Sequence, residues 1–68
     1  MPTIRVTAIE GHSEQQVKEF MDRITDLTVE VLGAAREGVI IHFEEIPANR
    51  YMRGGMTIAE RRAAAQKK

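Results

Sequence analysis

Pro2 stands directly behind the initiator methionine and in front of the run Thr3-Ile4-Arg5-Val6-Thr7-Ala8-Ile9. Methionine before a small residue such as proline is usually trimmed during synthesis, and trimming would leave Pro2 with a free secondary amine, a base and a nucleophile. An unperturbed α-amino group titrates at about 7.7–8.0, near the range in which a general base works best. An apolar pocket or a neighbouring cation would disfavour the protonated form and lower that value. A second explanation of Pro2 is structural, because proline lacks a ladder donor and is tolerated at a strand's first residue or on an edge. Other residues with usable chemistry are His12 after Glu10-Gly11, the pair Glu44-Glu45, and Tyr51 flanked by Arg50 and Arg53.

The elements that must position these groups follow from the pattern. Ile4, Val6 and Ala8 alternate with Thr3, Arg5, Thr7 and Ile9, the period-two, β-branched signature of a strand, and Gly11 ends it. Ser13 with Gln16 three residues on forms a capping box, and Glu14 complements the positive helix end. Val17, Phe20, Met21, Ile24, Leu27, Thr28 and Val31 then recur at steps of three and four, which predicts an amphipathic helix over 14–32 whose apolar stripe packs as core. Gly33 sits where a left-handed cap belongs. Val39 to Ile46 reads as a second strand stopped by Pro47. Strand, helix and strand make a βαβ unit with parallel strands and a right-handed crossover.

The alternation places Val39, Ile41 and Phe43 with Ile4, Val6 and Ala8 under the helix. Ile40, His42 and Glu44 share the opposite face with Thr3, Arg5, Thr7 and Ile9, where Arg5 and Glu44 are able to pair. Nothing in the chain covers that face, so another subunit is expected to. Asn49 and Gly54-Gly55 are turn residues framing Tyr51-Met52 as a short hairpin or an arm that reaches a neighbour. Thr57 with Glu60 is a second capping box, opening a short helix to Ala65, and Gln66-Lys67-Lys68 is expected to fray.

Composition narrows the classes. A chain of 68 residues makes one domain at most and buries only about 60% of its unfolded surface, so small domains add disulfides, a metal or oligomerisation. There is no cysteine, and the two separated histidines form no zinc pattern, which leaves self-association as the expected remedy. Ten basic side chains balance ten acidic ones, giving no nucleic-acid footprint. No apolar run approaches a membrane span and no secretory signal is visible, so a cytoplasmic location is expected.

Taken in order and without insertion, these features resemble the 4-oxalocrotonate tautomerase (2-hydroxymuconate tautomerase) family of the tautomerase superfamily, over about residues 2–62. The resemblance rests on Pro2, the strand end Ile9-Glu10-Gly11, Ser13-Glu14-Gln15 opening the helix, the Glu44-Glu45 strand end, and Tyr51 shortly before Gly54-Gly55. It implies an α+β tautomerase fold in a single domain over 1–68: a βαβ subunit with two parallel strands, one long helix and a C-terminal hairpin or arm. It further implies dimers with sheets side by side, commonly a trimer of dimers, and no cofactor or metal. In that family the amino-terminal proline is the general base that interconverts enol and keto forms of an unsaturated acid such as 2-hydroxymuconate, in aromatic degradation. Pro2 is the matching position.

The other site positions depart from the family's pattern. An arginine that usually follows Glu-Gly is His12 here, and a second arginine, which binds substrate carboxylate and polarises the carbonyl, falls at Ile40. Ile40 cannot bind a carboxylate as a guanidinium does, bidentately, so efficient turnover of a dicarboxylate is not expected. Tyr51 matches an aromatic of the apolar pocket and adds a hydroxyl donor. The replacement cations are sought among His12, Arg50 and Arg53, with Arg5 and His42 on the open sheet face as further candidates. The leading expectation is a cofactor-independent isomerase using Pro2, with His12, Ile40, Arg50, Tyr51 and Arg53 lining the substrate site. One alternative keeps the fold and makes a protonated Pro2 the acid of a dehalogenase or decarboxylase, with Glu44 or Glu45 activating water. The other is a non-catalytic oligomeric binding protein.

Overall fold

The computed structural model describes residues 2–66; the expectations for Met1 and for Lys67 and Lys68 fall outside the described residues. Strand β1 (Thr3–Ile9) leads into helix α1 (Glu14–Leu32), a 3-10 turn (Arg36–Gly38) and strand β2 (Ile40–Ile46). A second 3-10 turn (Ala48–Arg50) precedes the hairpin of β3 (Met52–Arg53) and β4 (Met56–Thr57), and helix α2 (Ile58–Gln66) follows. β1 and β2 pair in parallel from Thr3 beside Ile40 to Ile9 beside Ile46, as a βαβ unit requires.

The helix boundaries follow from their caps. Gln16 N–H donates to Ser13 Oγ at 3.1 Å, while Ser13 N–H donates to Gln16 Oε1 at 3.0 Å, so two end donors are satisfied reciprocally. At the other end Gly33 adopts φ 69° and its N–H closes onto Val29 O, a left-handed cap that glycine enters without a Cβ penalty. Thr57 and Glu60 repeat the reciprocal box ahead of α2, at 3.1 and 2.8 Å. Gly54 and Gly55 both have positive φ, 61° and 86°, the requirement of a two-residue type I′ hairpin turn.

The alternation of faces holds. Ile4, Val6, Ala8, Ile41 and Phe43 are half-buried, and Thr3, Arg5, Thr7, Ile40, His42 and Glu44 are exposed. Phe20 of α1 meets Phe43 edge to face, ring centroids 5.8 Å apart, an arrangement favoured by the ring quadrupoles. Three details differ from the sequence expectations. Val39 caps the 3-10 turn, its N–H donating to Arg36 O at 3.1 Å, so β2 begins at Ile40. Arg5 lies beside His42 and Glu44 beside Thr7; among the described residues no ion pair joins Arg5 to Glu44, because the register offsets them by two residues. The α1 stripe is also only partly core: Met21, Ile24 and Thr28 turn inward, whereas Leu27 and Val31 remain 59% and 67% exposed.

Exposure on this scale is the main physical fact of the single chain. Among the described residues only Ala48 and Thr28 are buried, and no side chain is fully so. The radius of gyration is 15.8 Å and the extents are 48 × 22 × 16 Å, against the roughly 11 Å expected of a compact chain of this length. The hairpin and α2 form an arm that extends from the βαβ body.

Candidate functional site

The parallel sheet separates the candidate residues into two groups. Pro2 enters at the head of β1, where its carbonyl accepts Ile40 N–H at 3.0 Å, so Pro2 and Ile40 sit together at one end. His12 follows the opposite end of β1, and the segment carrying Arg50, Tyr51 and Arg53 follows the same end of β2. With a rise of about 3.3 Å per residue, the seven-residue β1 holds these two ends roughly 20 Å apart. One chain therefore does not bring Pro2 to His12; the structure unites Pro2 with Ile40 only.

The far end is organised by carboxylates. Glu10 N–H donates to Ile46 O at 2.9 Å, and Glu10 Oε2 accepts Ala48 N–H at 2.7 Å, tying the chain leaving β2 to the end of β1 over the buried Ala48. Glu45 Oε2 receives His12 from two directions, its backbone N–H at 3.3 Å and its Nδ1 at 2.9 Å. Sequence reasoning did not pair His12 with Glu45. Their spacing carries no signal, but Glu45 follows Phe43 on the helix-side face of β2, where α1 begins, and parallel pairing sets Glu45 beside Ala8. Glu44 points to the opposite, exposed face.

His12 also borders a hollow of about 290 Å³ between α1 and the sheet, lined besides by Val6, Ala8, Gln16, Val17, Phe20 and Phe43. Neither Pro2 nor Tyr51 lines it, so this hollow alone is not the place where Pro2 would act. On the arm, Tyr51 is 43% exposed and its carbonyl receives Ile58 N–H at 2.8 Å, fixing the backbone and leaving the ring outward. Arg53 O accepts Arg61 Nη2–H at 3.0 Å, while Arg61 Nε is buried without a partner among the described residues. Neither Arg50 nor Arg53 forms an ion pair among the described residues, so both guanidinium groups remain available to an anion. Among the described residues no His, Asp and Glu side chains converge as a metal site.

Two parallel strands joined by a long helix, followed by a short hairpin and a second helix, make up the chain. The chain belongs to the tautomerase enzyme family, whose pattern it matches over residues 2–61. It is 40% identical over 67 residues to a probable tautomerase of Bradyrhizobium diazoefficiens, covering 98% of this chain and all of that one. Among solved structures it resembles TomN, a 4-oxalocrotonate tautomerase homologue in the tomaymycin biosynthetic pathway, with 44% identity, a TM-score of 0.85, and coverage of 91% of this chain and 95% of that one. It likewise resembles the heterohexamer 4-oxalocrotonate tautomerase of Chloroflexus aurantiacus, with 25% identity, a TM-score of 0.80, and coverage of 88% and 97%. The fold is the tautomerase fold.

Proposed function

We propose that this protein is a cofactor-independent isomerase in which the Pro2 nitrogen, freed by removal of Met1, carries a proton between carbon and oxygen of an unsaturated 2-oxo or 2-hydroxy acid. The supporting observation is the anchoring of Pro2: its carbonyl is locked to Ile40 N–H at 3.0 Å, which holds the residue's backbone at the sheet's head. Because the other candidates lie at the opposite end, the working site is assembled from several chains, in an oligomer between dimer and hexamer. Tyr51 with Arg50 or Arg53 from a neighbour's arm orients the acid and stabilises developing enolate charge. Ile40 supplies an apolar wall, so acids with one carboxylate suit the site better than dicarboxylates such as 2-hydroxymuconate. The engagement of Glu45 by His12 weighs against Glu45 as the water-activating base of a dehalogenase or decarboxylase.

The test combines mass, kinetics and pH. The mature chain is expected to lack Met1 and to gain one adduct at Pro2 from a 3-halopropiolate. Pro2→Ala is expected to lower turnover of enol acids by about a hundred- to ten-thousand-fold with its oligomer intact. A base must be deprotonated to act, so activity is expected to fall as pH drops below the amine's titration; a limb that requires the protonated amine supports the acid chemistry instead. Retention of Met1 and unchanged turnover in Pro2→Ala would sink the proposal and leave an oligomeric binding protein.

A further inference from the structure

The balance of ten basic against ten acidic side chains conceals a division along the chain. The βαβ body, residues 1–46, carries four lysines and arginines against nine aspartates and glutamates, a net −5. The remainder, 47–68, carries six against one, a net +5. Within the body three of the four cations are taken up by body carboxylates, in the pairs Lys18–Asp22, Arg23–Glu19 and Arg36–Asp26. On the arm, Arg50, Arg53, Arg61 and Arg62 take part in no ion pair among the described residues, and no ion pair there joins arm to body. The opposite charges of one chain are thus left unmatched within it, a division that steers association and fixes register between copies.

The body offers a surface that suits such an arm. α1 ends on the exposed apolar side chains of Leu27, Val31 and Leu32, with exposed Glu30 one turn on from Leu27 along the same helical face. The last turn of α1 holds no basic residue, so the negative end of the helix dipole lacks a cation of its own, and Glu37 follows in the 3-10 turn. Packing this patch on its own copy about a two-fold axis would oppose the Glu30 carboxylates of the two chains. The arm instead presents exposed Tyr51 and Met52 between Arg50 and Arg53. We propose that the patch at the C-terminal end of α1 is the docking surface for the arm of a second copy. Apolar side chains meet apolar side chains there, and the arm's arginines face Glu30, Glu37 and the helix end. α1 returns from the far end of the sheet, so its C-terminus lies at the head, where Ile40 N–H bonds to Pro2 O. An arm seated on the patch therefore delivers Arg50, Tyr51 and Arg53 to the end that holds Pro2. This docking rests on the tautomerase reading of the site and names the surface that completes it.

The full-length protein contains no cysteine, so an introduced pair reports the contact directly. Glu30→Cys and Met52→Cys are purified separately, refolded together and oxidised. The expected product is a disulfide between the two variants, in excess over either variant joined to itself. Predominant joining of Glu30→Cys to itself, or no disulfide at all, overturns the proposal. Sedimentation supplies a second readout. Raising sodium chloride from about 0.1 M to about 1 M shortens the screening length from about 10 Å to about 3 Å and is expected to weaken self-association. Glu30→Arg is expected to weaken it by about tenfold, the scale of one charge-assisted hydrogen bond. The same substitution places a cation at a helix C-terminus, where it stabilises α1, so loss of association cannot be loss of folding. Association indifferent to salt, or tightened by Glu30→Arg, overturns the proposal. Both readouts are taken without turnover, so failure of the Pro2 chemistry appears separately, as undiminished turnover in Pro2→Ala.

Discussion

The two ends of the parallel sheet solve different problems. At its head, Pro2 and Ile40 meet through backbone alone, with a 3.0 Å hydrogen bond and no charged side chain in the pairing of Thr3 with Ile40. At its far end Glu10, Glu45 and His12 converge to fasten the loop before α1 and the exit from β2. The head holds Pro2, whose nitrogen the proposed function makes the base, beside the apolar Ile40; the far end has the imidazole and leads to the arginines and the tyrosine. Strands rise by about 3.3 Å per residue, and no local rearrangement spans the gap between the ends. In the proposed function closure comes from a second copy, and the exposed apolar residues Leu27, Val31, Ile40 and Met52 are the surface expected to draw copies together.

The sharpest way to break this comparison is to separate the ends genetically. Pro2→Ala destroys the head and His12→Ala with Tyr51→Ala damages the other end, so each protein alone is expected to be nearly inactive. If the ends meet only between chains, unfolding and refolding the two variants together is expected to restore turnover that neither has, because some mixed sites then hold an intact half from each. Absence of recovery in mixed oligomers of verified composition would place both halves in one chain, contrary to the separation seen here.

A smaller effect is expected from the fastening at the far end. Glu10→Ala removes the acceptor of Ala48 N–H, the backbone donor of a residue only 5% exposed. A buried donor left unpaired costs about 1–3 kcal/mol, so the variant is expected to unfold at lower denaturant with its slope unchanged. Glu10→Gln keeps a carbonyl acceptor and is expected to lose less. Equal loss in both variants would mean that the charge of Glu10, and not the hydrogen bond, secures this end.

Local order was legible in the sequence wherever one element carries its own signal. Period two in Thr3–Ile9, the Ser13/Gln16 and Thr57/Glu60 boxes and the Gly33 cap are contained within a few residues, and the structure realises each of them. The hairpin expected around Tyr51-Met52 forms one residue later, at Met52–Arg53 and Met56–Thr57, since two positive-φ glycines dictate where the chain turns. Pairing across elements was less legible. The Arg5/Glu44 expectation failed because the register sets them two residues apart along the ladder, and the His12/Glu45 contact joins residues 33 positions apart that no periodicity links. The exposure of Leu27 and Val31 was hidden for a related reason: a helical stripe records which residues are apolar, not whether the same chain supplies what covers them.

The two capping boxes allow the body and the arm to be compared at the smallest scale. Ser13 caps α1, which packs against the sheet through Phe20 and Phe43, so any loss of its first turn is transmitted to the core of the unit. Ser13→Ala is expected to cost about 1 kcal/mol of global stability, seen as a lowered Tm. Thr57 makes the same pair of hydrogen bonds, but α2 belongs to an arm with no buried residue of its own, and such segments open locally at low free energy. Thr57→Ala is therefore expected to leave the global transition nearly unmoved in the isolated chain while speeding hydrogen exchange in α2. In the proposed assembly, in which the arm reaches a neighbour, the same substitution is expected to become visible in Tm as well. A Thr57→Ala effect as large as that of Ser13→Ala at concentrations where the chain is monomeric would show that the arm folds as part of the body.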